Sequence, residues 1–86
     1  MRVEEARTLC QSGQEIFWGS QAKGSNPFNV RLSISCPGGG KPIGVWHLHP
    51  HGKAEPSAQD IAEMKRAGLT HLCISDDFLT RCFKVK

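Results

Sequence analysis

The chain has 86 residues, a formal net charge of +3 and 38% hydrophobic residues. That length supports one domain with a limited core, so residues 1–86 read as a single minimal domain. The cations are spread along the chain without a basic block, which argues against nucleic-acid binding, and neither a signal peptide nor an apolar run long enough to span a bilayer is found, so a cytoplasmic protein is expected.

Val3 to Cys10 predicts a short helix: Val3, Ala6, Leu9 and Cys10 fall at helical spacing, acids come early and Gly13 ends the run. Glu15 to Gly19 predicts a short strand with Ile16 and Trp18 on one face. Ser20 to Pro27 is a polar loop. Phe28 to Cys36 alternates, with Phe28, Val30, Leu32, Ile34 and Cys36 on one face and Asn29, Arg31, Ser33 and Ser35 on the other; this is the pattern of a half-buried strand. Pro37 to Pro42 combines a glycine run with Lys41. A Walker phosphate loop needs Gly-Lys-Ser/Thr leading into a helix, whereas Lys41 precedes a proline and a strand, so the segment reads as a turn between antiparallel neighbours.

Ile43 to His49 predicts the central strand, and Pro50 to Pro56 a loop. Ser57 to Ala67 predicts a helix with Ile61, Met64 and Ala67 or Gly68 along its inner stripe. Lys65 and Arg66 suit its C-terminal dipole and Gly68 suits the position after its end. Leu69 to Ser75 and Leu79 to Val85 predict two strands joined by a turn at Asp76-Asp77. The expected core is Val30, Leu32, Ile34, Val45, Ile61, Met64, Leu72 and Ile74. Helix, strands, helix, strands make an α+β (mixed α/β) domain, a single small sheet with flanking helices.

The four cysteines, Cys10, Cys36, Cys73 and Cys82, form no C-x-x-C pair, so a cysteine zinc knuckle is not expected. With no secretory signal, reduced thiols serving as small buried residues are expected. Cys73 and Cys82 lie on strands that could pair, which leaves one disulfide open.

His47 and His49 are two apart on the central strand, so their rings share a face. Asp60 lies in the first turn of the next helix, and the Pro50–Pro56 loop can bring it back to them. Two imidazoles and a carboxylate are three ligands of a tetrahedral Zn2+, with the fourth position left for water. Ser57-x-x-Asp60 is equally a helix-capping pattern, and the two roles are compatible. His51 and Glu55 read as loop surface, and His71 as a packed or edge histidine.

His47-x-His49-x7-Ser57-x-x-Asp60, with an apolar strand before it and Pro50 inside it, resembles the JAMM motif of the MPN (JAB) family of zinc metalloproteases. The strand pair Leu69–Ser75 and Leu79–Val85 is similar to the pair that closes the domain in prokaryotic members. The resemblance implies an MPN/JAB-like fold with cytidine-deaminase-like layering. It implies His47, His49 and Asp60 as metal ligands and Ser57 as a hydroxyl that positions water or stabilises an oxyanion. It also implies a catalytic glutamate from an upstream strand. Glu15 is the acid nearest the matching stretch, with Glu4 and Glu5 as the other candidates. The function implied is a zinc-dependent metallopeptidase or isopeptidase acting on a peptide or protein, including the C-terminal tail of a ubiquitin-like protein. Two alternatives remain: a non-catalytic MPN-like scaffold module, and a RadC-like relative linked to DNA metabolism, whose His-x-His-Pro and Ser-x-x-Asp stretches are similar.

Overall fold

The computed structural model describes residues 3–25, 30–50, 56 and 58–85. Five strands form one sheet in the order β2-β1-β3-β4-β5: β1 is Glu5–Ser12, β2 Glu15–Lys23, β3 Lys41–Leu48, β4 His71–Ser75 and β5 Thr80–Lys84. β1 pairs antiparallel with both β2 and β3, β3 runs parallel to β4, and β4 pairs antiparallel with β5. The helix α1, Ala58–Ala67, makes the crossover between the parallel pair. A single 3₁₀ turn at Pro37–Gly39 precedes β3.

α1 is the one helix among the described residues, so the expected flanking helices reduce to one. The difference lies at the N-terminus, where the predicted Val3–Cys10 helix is instead β1. A window this short fits both periods. Ala6, Thr8 and Cys10 are fully buried while Arg7, Leu9 and Gln11 are half-buried, the alternation of a strand. Hydrogen bonding to a neighbour on each side decides the outcome over local preference. Gly13 does not stop a helix. With φ of 60° it is the first of two residues turning β1 into β2, the glycine-first arrangement favoured by tight hairpins.

β2 runs on to Lys23, beyond the Gly19 end predicted for it. The predicted strand Phe28–Cys36 does not form a ladder over its described part, residues 30–36. Ser20 takes the place of one. Its amide donates to the Ser35 carbonyl at 2.9 Å, and its hydroxyl donates to the Ser33 carbonyl at 2.6 Å while accepting from the Ser35 amide at 3.0 Å. With Thr8 Oγ1 also 2.7 Å away, that hydroxyl is fully used. The segment approaches this closely because residue 19 is glycine; a Cβ there would collide with the Ser35 carbonyl and Cys10 Sγ.

All four cysteines are joined, Cys10 to Cys36 and Cys73 to Cys82, which corrects the expectation of reduced thiols. The second bond links directly opposed residues of β4 and β5. The first ties the 30–36 segment to the sheet, a pairing that spacing alone does not reveal.

The core lies between α1 and the sheet: Val45, Met64, Leu69, Leu72 and Ile74 form one buried cluster, with Leu32 and Val85 packed against it. Four of the expected core residues are in it. Ile61 is half-buried, and Ile34 is 37% exposed because its strand never closes against a neighbour. The end of α1 follows its sequence closely. Gly68 has φ of 72°, its amide donates to the Lys65 carbonyl at 3.2 Å, and the Leu69 amide donates to the Met64 carbonyl at 2.9 Å. Leu69, buried just past that glycine, enters the core through this turn.

Gly44 lies directly opposite His71 across the β3–β4 pair. A Cβ there would overlap the carbonyl and Cβ of His71. Gly44→Ala is expected to cost about 1–3 kcal/mol of stability, read as a lower urea midpoint at unchanged slope.

Candidate metal centre

The candidate site forms at the C-terminal end of β3. Pairing puts His47 opposite Ala6 and Thr8 opposite Val45, so His47 projects to the same side of the sheet as the buried face of β1, the side that carries α1. His49 follows two residues later, its amide donating to the Ser75 carbonyl at 2.8 Å, which continues the β3–β4 edge by one step. The two rings stand 6.1 Å apart between centroids, inclined at 68°.

Two carboxylates approach these rings from different elements. Asp60, in the first turn of α1, is buried, with its Oδ2 3.7 Å from His49 Nε2. Glu4, just before β1, places its Oε1 3.5 Å from His47 Nδ1. Glu4 is two residues from Ala6 and so shares the His47 side, whereas Glu5 is paired with Leu48 and turns to the opposite side, beside Arg7 and Trp46. The carbonyl of Glu4 accepts from the Gly24 amide at 2.7 Å, which holds this residue at the end of the β1–β2 hairpin.

One potential ligand atom from each of Glu4, His47 and His49 lies within 4.8 Å of the others. Ligand atoms about 2.1 Å from a tetrahedral zinc stand about 3.4 Å apart, close to the 3.5 and 3.7 Å separations of the two ion pairs. His47 Nδ1 is buried, and its contact with Glu4 Oε1 at 3.5 Å is too long for a good hydrogen bond. Two imidazoles and two carboxylates are a donor set that fits zinc. Burial raises the Glu4 carboxyl above its ordinary value, against the opposing pull of His49 and His47, and Asp60 adds to the rise. A carboxylate so placed holds a proton more readily than one in water.

The residues singled out from the sequence are distributed as follows. His47 and His49 lie together with Glu4, and Asp60 meets His49. Ser57, His51 and Glu55 lie outside the described residues. Glu15 is not at this cluster, which corrects its candidacy as the water-activating glutamate. It opens β2 opposite Ser12, at the hairpin end of the sheet, about 20 Å by strand rise from the Ala6–His47 pair. Of the three candidate glutamates, Glu4 is the one beside His47. Its signal was the alternation Glu4, Ala6, Thr8, Cys10, which a helical reading of the stretch conceals. His71 is exposed and bonded to its neighbour Thr70, 2.8 Å from Oγ1 to Nδ1, away from the cluster.

A cavity of about 740 Å³ opens beside His47 and Asp60 and extends between α1 and the 30–34 segment. No helix among the described residues is long and apolar enough to cross a membrane. The family profile described as prokaryotic homologs of the JAB domain matches residues 9–85, which include His47, His49 and Asp60 but not Glu4. No curated protein and no solved structure matches the chain.

Proposed function

The chain belongs to the prokaryotic homologs of the JAB domain, and from that membership and the cluster at the end of β3 we propose that it is a zinc-dependent metallopeptidase or isopeptidase of JAMM type. The observation that carries the proposal is the convergence of Glu4, His47, His49 and Asp60, supplied by three separate parts of the chain. In this reading His47, His49 and Asp60 hold the metal, and Ser57, the residue before α1 in sequence, is the hydroxyl that donates to a developing oxyanion.

When bound, zinc supplies Lewis acidity, making water nucleophilic near neutral pH and polarising a carbonyl. The chain's own contribution is proton handling. Glu4 takes a proton from the attacking water and returns it to the leaving amine. Its raised pKa supports that role, because a base whose affinity for protons is too low accepts them poorly. The expected substrate is a peptide or protein, with the C-terminal tail of a ubiquitin-like protein as the class suggested by the resemblance. The two disulfides, which persist most readily in oxidising surroundings, stand against the expected cytoplasmic residence.

The test is zinc stoichiometry by elemental analysis on protein purified without chelator. Near one zinc per chain is expected, with most of it lost in His49→Ala and in Asp60→Ala. A parent protein that takes up no zinc even after incubation with the metal would sink the proposal.

A further inference from the structure

We infer that the Cys10–Cys36 disulfide is a redox latch on the candidate metal centre. Closed, it holds residues 30–36 as the outer wall of the cavity beside His47 and Asp60; reduced by a dithiol, it frees that wall and opens the centre to solvent. The inference adds regulation to the site and, for the metal itself, rests on the zinc reading; the position of the wall does not.

The wall is weakly attached apart from the latch. Residues 30–36 form no ladder, and their backbone bonds to the sheet among the described residues converge on Ser20, which takes Ser33 and Ser35. Arg31, Ser33, Ile34 and Ser35 are exposed, and Leu32, which packs against the core, is half-buried. A segment with so few buried contacts opens locally at low cost unless it is tethered. Cys36 supplies the tether, through a bond to Cys10 on the fully buried face of β1.

Geometry connects the tether to the centre. Cys10 lies four residues along β1 from Ala6, the partner of His47, about 13 Å by strand rise. An extended chain from Cys36 back to Val30 reaches about 20 Å, enough to run the length of that stretch. Val30, Arg31, Leu32 and Ile34 accordingly line the same cavity as His47 and Asp60. With the wall in place the side chains of His47 and Asp60 are 12% and 10% exposed.

Of the two sulfurs, Cys36 is the one open to attack, being half-buried where Cys10 is fully buried. A thiolate of the dithiol attacks Cys36 Sγ. The Cys10–Cys36 bond breaks, and its electron pair goes to Cys10 Sγ, which takes up a proton. The second thiol of the reductant then displaces Cys36 as it closes its own disulfide. The reductant is oxidised and the chain gains two thiols. Cys73–Cys82 plays no part in this: it joins β4 to β5, on the face of the sheet opposite α1.

The test uses Cys73→Ser/Cys82→Ser protein, in which the latch is the remaining disulfide, oxidised or reduced with dithiothreitol and metal-free. Backbone hydrogen exchange and carbethoxylation of histidines are read by mass spectrometry. Reduction is expected to speed exchange at residues 30–36 and modification of His47 by at least about tenfold, with exchange in β3 and β4 and modification of the exposed His71 unchanged. Cys10→Ser/Cys36→Ser should behave as the reduced form with or without dithiothreitol. The parent chain reduced in stages repeats the comparison without any substitution: opening of Cys73–Cys82, whose Cys82 is exposed, should leave residues 30–36 protected until Cys10–Cys36 also opens. Protection at 30–36 that survives reduction of the latch, or a loss that spreads equally to β3 and β4, would overturn the inference. In zinc-loaded protein, Cys10→Ser/Cys36→Ser should yield its metal to a chromogenic chelator at least about tenfold faster than the parent. A chain that opens its wall on reduction but never takes up zinc refutes the metal reading alone. One that holds zinc and releases it at a rate indifferent to the latch refutes the latch alone.

Discussion

Glu4→Gln is expected to lower peptide hydrolysis by about 10²- to 10⁴-fold while the protein keeps its zinc, and Glu15→Gln to change neither. The substitution preserves shape and removes the ability to accept a proton. Metal retention follows from the proposed ligand set: if His47, His49 and Asp60 are the donors, Glu4, 3.5 Å from His47 Nδ1, is left to act as the base. Glu15 serves as the internal comparison because it lies at the hairpin end of the sheet. Zinc analysis and a fluorogenic peptide assay on the same preparations separate the possibilities. Loss of zinc in Glu4→Gln would make Glu4 a ligand rather than the base, and full activity in Glu4→Gln would remove it from the chemistry.

Replacing Cys10 and Cys36 by serine is expected to cost about 3.5 kcal/mol, from the chain entropy released when a loop of 26 residues is no longer closed. Replacing Cys73 and Cys82, which close a loop of 9, should cost less, about 2.6 kcal/mol. Either is a large part of the total for a domain of this size, since small domains are held by only about 5–15 kcal/mol. Urea melts of the two double variants, and of the parent with and without reductant, give the comparison. A parent whose midpoint is indifferent to reductant would show that neither bond contributes. The loss of Cys10–Cys36 should also loosen the 30–36 segment, because beyond that bond its attachment to β2 rests on Ser20.

Much of the C-terminal half was legible from local pattern. Met64, Leu72 and Ile74 repeat at the spacings of their elements, Gly68 ends α1 as its position suggests, and His47-x-His49 needs nothing beyond strand geometry to place both rings on one side. Asp60 is legible for a different reason: a carboxylate in the first turn of a helix is favoured there in any case, so the same residue satisfies local and tertiary demands. The N-terminal half resisted because its structure is decided by partners distant in sequence. Val3 to Cys10 carries helical and strand spacing at once, and only pairing with β3 and β2 selects the strand. That misreading put Glu15 ahead of Glu4 among the candidates. The alternation of residues 30–36 was real, but Leu32 packs against the core while Ile34 stays open, since a side chain, Ser20, substitutes for the ladder a strand requires.

The strand order also sets the sequence in which the centre can be completed. His49 and Asp60 are joined by a short stretch of chain and meet once β3 and α1 have docked. Glu4 reaches His47 only when β1 closes against β3, across about half the chain, and that closure carries the greater entropic cost. On the proposed reading, ligands would gather before the base arrives, so that zinc capture would precede any hydrolysis. Hydrolytic competence would then be a property of the finished sheet.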